Sequence, residues 1–314
     1  MKKLIACFVF SSLGCVAQVE SGSFSSIIPI QKSPVFDLKT MLLPRNVVIV
    51  NTDYGALRTE VSIYEYYLFL SFLHSEPGVF QQRSNSPEAY FPDLNQVEPK
   101  VLGLWKSLID GLSKPLSADG PTEALSDLAL KVKIKVPVKL DAKQRVLAAF
   151  PLTGISYEAA VNYAEWMSFI YQKYLSEGDD YSWKFQLPTE EQWEEMALGG
   201  LGEKMKPNQV LDSVNAEGCF LFNYANLPDC KSLPGYLKSS LGGGTAPVKS
   251  FNPDFLGLHN VFGNVAEMTL TKGICKGGSY FHKTDEAKVP NQIPYAGPQP
   301  WLGIRLVIIP VPIP

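Results

Sequence analysis

The sequence predicts a mixed α+β protein with much irregular structure and low secondary-structure content, and three observations carry that expectation. Glycine and proline contribute 24 residues each, and aromatics make up 11% of the chain. Many turns combined with many large apolar anchors suit a loop-rich globular protein better than a helical bundle. Three segments carry helix-start signals followed by apolar residues at helical spacing. Beyond residue 200 the chain is rich in glycine, asparagine and proline with only short apolar stretches, as expected of loops packed on a small sheet. With 314 residues a sizeable core can be buried. The balance of 28 basic against 31 acidic residues gives no electrostatic reason to expect a nucleic-acid partner.

The chain opens with Met1-Lys2-Lys3 and a short apolar stretch from Leu4 to Leu13, which is too short to span a bilayer and reads as an export signal over residues 1–17. Two endings compete. Cys15 is a candidate lipid acceptor, and Ala17 precedes a small-residue cleavage point. Either one places the protein outside the cytoplasm, in the periplasm or at the outer membrane, with membrane attachment only through a lipid on Cys15. Residues 18–45 read as an N-terminal arm, and the main domain is expected over 46–309.

Asn46–Val50 is a strand candidate. Ser62 and Glu65 form a capping-box pattern, each side chain able to satisfy a free helix N–H, and Tyr66, Phe69, Leu70 and Leu73 follow at helical spacing. Residues 76–145 read as an insertion, with a helix candidate at 100–112. Val132, Ile134, Val136, Val138 and Leu140 alternate with Lys131, Lys133, Lys135 and Lys139. Period two predicts an edge strand with one wet face protected by lysine and Pro137. A further helix is expected from Ser156, with Ala160, Ala164, Met167, Tyr171 and Tyr174 on one face and Trp166 and Ile170 widening it. Thr189 and Gln192 start another. Its four carboxylates, Glu190, Glu191, Glu194 and Glu195, are read mainly as capping and solvation, with Glu194 the one worth watching. Leu302–Ile309 is a strand candidate, expected to stop at Pro310.

In an oxidising compartment Cys219 and Cys230 can pair, which would stabilise by about 3 kcal/mol through loop closure. The alternative is that Cys219, Cys230 and Cys275 are all reduced and buried. The three histidines, His74, His259 and His282, have no zinc-like or iron-like spacing, and no P-loop, HExxH or GxSxG motif is present.

Four ordered elements resemble the sulfatase-modifying factor, or formylglycine-generating enzyme, superfamily. They are Thr59-Glu60-Val61-Ser62; Leu152-Thr153-Gly154-Ile155-Ser156 leading to Ala164-Glu165-Trp166; Leu187-Pro188-Thr189-Glu190-Glu191-Gln192-Trp193-Glu194; and a run from Thr245-Ala246-Pro247-Val248 through Gly257–Glu267 and Lys276–Tyr280 to Gly303-Ile304-Arg305-Leu306. The resemblance implies a C-type-lectin-like α+β fold. It also implies a structural Ca²⁺ held by the side chains of Asn260 and Glu267 and the carbonyls of Gly263 and Val265, oxygen donors that suit this ion. The alternative is a metal-free loop in which Glu267 accepts N–H bonds or pairs with Arg305. A second family calcium site would use Asn226 and an acidic residue near Ser240, where serine is a poor ligand.

Active oxygen-using members carry two copper-binding cysteines after the GGSY element. Here His282 and Ala287 stand at those places, and one imidazole does not replace a dithiolate for Cu(I), so no copper is expected. The chain resembles most the non-catalytic branch represented by gliding-motility and type IX secretion lipoproteins of Bacteroidetes. That implies an envelope scaffold with protein partners in a homo- or hetero-oligomeric assembly. Two alternatives stay open. One is an enzyme with a repurposed pocket at His282. The other is a lectin-like module using Tyr280, Phe281, Tyr295 and Trp301.

Overall fold

The structure is a computed structural model describing residues 46–80, 86–114, 132–175, 181–201, 222–225 and 243–312. The export segment, the arm, the Cys219–Cys230 pair and the expected second calcium site lie outside the described residues.

Two small sheets organise the chain. Strands β1 (Val47–Ile49), β2 (Gly55–Leu57), β3 (Tyr181–Gln186) and β8 (Val307–Pro312) form the first, in the order β1-β2-β8-β3, antiparallel throughout. Strands β4 (Ala266–Met268), β5 (Ile274–Lys276), β6 (Ile293–Pro294) and β7 (Leu302–Gly303) form the second, in the order β6-β5-β4-β7, with only the β4–β7 pair parallel. Side chains alternate across the first sheet. Val47, Leu57 and Ile308 face the larger core, while Val48, Ala56 and Val307 face a second cluster built around Trp193, Met196 and Phe262.

The expected C-terminal strand is corrected in two ways. The apolar run is split between the sheets, Leu302–Gly303 pairing with β4 and Val307–Pro312 with β2 and β3. It also continues through Pro310, which lies opposite Trp183, and Pro312, opposite Tyr181. Beyond Ile308 the strand has β3 on one side only, because β2 reaches no further, so a missing N–H on the open side breaks no ladder. The crossing from sheet to sheet buries Ile304, Arg305 and Leu306 completely.

The helices follow their caps. Helix α1 (Ile63–Ser75) starts on Ser62, and the expected capping box with Glu65 is formed. Its residues from Ile63 to Leu73 are buried on nearly every side, as suits a central core helix. Helix α2 (Pro99–Leu112) carries Pro99 in its first turn, where no N–H is needed. Helix α3 (Ala142–Ala148) is capped by Asp141 and Gln144. Helix α4 (Tyr157–Ile170) is capped by Ser156, and α5 (Glu190–Leu201) follows a reciprocal Thr189–Gln192 pair. Tyr66, Phe69, Tyr163 and Trp166 meet at centroid distances of 5.3–5.8 Å in edge-to-face or tilted pairs. Each such pair contributes about 0.5–1.5 kcal/mol beyond area burial.

Two further expectations need correction. The lysine-alternating segment is not a strand. Ile134, Val136 and Leu140 are buried and Lys133, Lys135 and Lys139 exposed as anticipated, yet the segment forms no ladder and Lys133 sits at φ 56°. It lies on α2, where a Cβ on Gly111 would stand 2.0 Å from Val138 Cγ2; a glycine in mid-helix lets the chain approach. Alternation records which side is wet, and a ladder needs a neighbour as well. The apolar face expected to extend to Tyr174 ends earlier. The last α-helical residue is Ile170, the next turn (Tyr171–Leu175) widens to π geometry, and Tyr174 is exposed. The 76–145 region contributes Tyr90, Trp105 and Leu108 to the main core, so its described parts are woven into the domain.

Candidate functional site

The Gly257–Glu267 loop is shaped by residues that tolerate a left-handed backbone. Asn260, Gly263 and Asn264 have φ of 52°, 77° and 62°, and asparagine and glycine are the residue types that adopt this region most readily. A Cβ on Gly263 would lie 2.6 Å from the Asn223 carbonyl oxygen, so the loop is pressed against residue 223.

A buried polar network holds the loop. The Asn264 amide nitrogen donates to Glu60 Oε1 (2.8 Å) and to the Ala246 carbonyl (3.1 Å), and its oxygen accepts from Ala246 N (2.7 Å) and Asn223 Nδ2 (3.1 Å). The Asn260 amide nitrogen donates to Glu60 Oε2 (3.0 Å) and the Val248 carbonyl (3.1 Å). Arg305, wholly buried, donates from Nε to Glu267 Oε1 (2.9 Å), from Nη1 to the Leu57 carbonyl (2.9 Å) and from Nη2 to the His259 carbonyl (2.6 Å). Glu267 Oε2 accepts from Trp193 Nε1 (2.9 Å). One guanidinium thus ties β2, β4 and the loop together, and Trp193 links α5 to the same carboxylate.

Burial alone works against the Arg305 charge, but Glu267 and Glu60 outweigh it, and the guanidinium pKa is raised. Burial pushes Glu60 up to about 8 despite the attraction of Arg305 and the bonds from Asn264 and Asn260. Glu267 is also raised by burial, against Arg305 and Trp193.

Asn260, Gly263, Val265 and Glu267 lie on one buried stretch, but they are not arranged as an uncommitted oxygen cage. Glu267, the one charged ligand of the implied calcium site, is neutralised by Arg305 at 2.8 Å, and its second oxygen is taken by Trp193. Calcium affinity depends on ligand charge, and a guanidinium bound to the only anionic ligand opposes a divalent ion. This donor set does not fit Ca²⁺ as it stands. Glu60 and Asn264, which complete the network, were missed as site residues. The available signal was a single carboxylate, Glu60, set beside the apolar start of α1.

The positions that hold cysteines in oxygen-using relatives are packed. His282 is 6% exposed and Ala287 1%. A Cβ on Gly278 would meet Ala287 Cβ at 2.6 Å. His282 Nδ1 is 2.7 Å from Ser279 Oγ, and Phe281 N donates to that same oxygen, so the hydroxyl ties the ring to the turn. Burial lowers the imidazole pKa, against the opposing pull of Glu286. Cys275 lies in β5, wholly buried, its thiol donating to the Ile293 carbonyl (3.2 Å) and its pKa raised by burial; it does not serve as a replacement thiolate.

The α5 carboxylates have structural partners. Glu194 pairs with the buried Lys276, Glu195 accepts from Tyr54 and Asn51, and Glu190 accepts from Gln292. Among the described residues no group of three or more His, Cys, Asp or Glu side chains could hold a metal ion. No helix among them is long and apolar enough to cross a membrane.

Comparison with known proteins agrees with this architecture. The sulfatase-modifying factor enzyme 1-like domain model matches residues 44–309. A comparison with curated proteins finds no match. Among solved structures, PvdO from Pseudomonas aeruginosa is similar at TM-score 0.40 and 14% identity, covering 82% of this chain and 80% of that one. CarF is similar at TM-score 0.38 and 18% identity, covering 83% and 87%. Treponema denticola variable protein 1 is similar at 0.33 and 18%, covering 81% and 84%. These structural likenesses are weak. The family match spans most of the sequence, and the chain belongs to the sulfatase-modifying factor enzyme 1-like domain family.

Proposed function

We propose that this protein is a non-catalytic member of its family that acts as an exported scaffold or interaction component of the cell envelope. The observation that carries the reading is the packed state of the two positions where active relatives hold thiols. His282 is tied to Ser279 and Ala287 is pressed on Gly278. A repurposed enzyme pocket needs an accessible base with polar groups converging on it, and burial of His282 weighs against that alternative. The export signal read at residues 1–17 supports placement in the periplasm or at the outer membrane, and the sequence likeness to gliding-motility and type IX secretion lipoproteins supports a multi-protein assembly.

Calcium is the finer part of the same likeness. The Arg305–Glu267 pair argues for the metal-free form of the loop, in which a guanidinium supplies the internal positive charge. Affinity purification of the tagged protein from its native envelope, with mass spectrometry of partners and of residue 15, tests the proposal. It predicts recurrent envelope partners. A monomer recovered alone after cross-linking would overturn it.

A further inference from the structure

Among the described residues three prolines lie within strands, Pro294 in β6 and Pro310 and Pro312 in β8. All three sit where a backbone N–H would point out of the sheet. The Leu306 carbonyl accepts from Leu57 N (3.0 Å), so the backbone of Leu306 faces β2. Backbone direction alternates along an antiparallel strand, so Ile308, Pro310 and Pro312 face the same way. The β2 ladder ends with Gly55 opposite Ile308, which leaves the two prolines directed past its end. In β6, Tyr295 N donates to the Gly273 carbonyl (2.9 Å). Tyr295 and Ile293 therefore face β5, and Pro294 faces away from it.

These edges are reachable. Pro294 and Pro312 are exposed, while the Pro310 ring is buried. Among the described residues β6 is the last strand of its sheet. A surface groove of about 480 Å³ borders it, lined by Glu286, Pro290, Asn291, Gln292, Ile293 and Pro294. The β3 edge is closed by other means. The Ser168 hydroxyl in α4 accepts from Phe185 N (2.8 Å) and lies 3.3 Å from the Phe185 carbonyl.

We propose that Pro294 and Pro312 bar a further strand from the β6 and β8 edges, and so keep copies of this chain from pairing edge to edge. An open edge is a template for another chain. Proline removes the donor and puts its ring where the incoming backbone would lie. The inference is independent of the scaffold reading, because it concerns pairing between copies through these two edges and not the partners of the protein.

The test compares the full chain with Pro294→Thr/Pro312→Thr, which restores both outward N–H groups on a strand-favouring residue. Pro253→Thr, at an exposed proline outside every strand, is the control. Sedimentation velocity over a concentration series and infrared spectroscopy of the intermolecular β-sheet band read the outcome. The double variant forms larger, β-paired species at about tenfold lower concentration than the wild type, as one restored hydrogen bond would give. Its melting temperature is unchanged, and the control behaves as the wild type. Wild-type sedimentation of the double variant at every concentration overturns the proposal, and so does equal association by Pro253→Thr. Should the double variant melt lower, Pro312→Thr alone decides: association at an unchanged melting temperature upholds the proposal, and its absence overturns it.

Discussion

Replacing Arg305 with methionine removes the cation at the centre of the polar network while keeping a side chain of similar length. It leaves Glu267 without its ion-pair partner and strips donors from the Leu57 and His259 carbonyls, all through bonds of 2.6–2.9 Å in a wholly buried setting. Breaking one side of a buried pair costs about 3–5 kcal/mol, because the remaining charge stays uncompensated. For a domain of this size that lowers the melting temperature by roughly 6–20 °C. Thermal and urea unfolding followed by circular dichroism measure it. The double variant Arg305→Met/Glu267→Leu should recover much of the loss, since apolar replacement of a whole buried pair is often nearly neutral. A loss below about 1 kcal/mol for the single variant, the value of an exposed pair, would refute the reasoning that this guanidinium pins the loop.

The other predictions follow from the same geometry. Glu60 has its folded pKa raised by burial from 4.5 to about 8, so the folded state binds the extra proton between those values. Its contribution to stability is full below pH 4.5 and is lost as pH rises toward 8; Glu60→Gln flattens that slope in urea titrations run across the window. Adding Ca²⁺ to chelated protein gives no binding heat and no melting shift, whereas a shift of several degrees would restore the calcium reading. Gly277→Ala destabilises by about 1–3 kcal/mol, because φ is 87° and the new Cβ would lie 2.6 Å from the Val261 carbonyl oxygen and 2.9 Å from Trp193 Cζ2; thermal unfolding reads it. Ser62→Ala removes the cap of α1 and costs about 0.5–2 kcal/mol in the same assay.

The helix starts were legible because caps are local: Ser62–Glu65, Ser156 and Thr189–Gln192 all lie within four residues of the helices they begin. Strands were less so. The stretch 302–309 is one apolar run, and nothing within it marks the change of sheet between Gly303 and Val307. The lysine-alternating segment showed its wet and dry sides but not the absence of a strand partner. The loop network was half legible. Pairing of Glu267 with Arg305 was one of two sequence readings, but Glu60 is 200 residues from Asn260, and no local pattern joins residues that distant. Phe281 and Trp301 were visible as candidate aromatics, but their contact joins two separate loop segments and no local pattern pairs them.

Cross-linking pull-down of the tagged protein from its native envelope tests the central claim most directly, with mass spectrometry of what is retained. A non-catalytic scaffold predicts the same envelope proteins at near-stoichiometric yield in repeated preparations. A monomer with no retained partner would contradict the account.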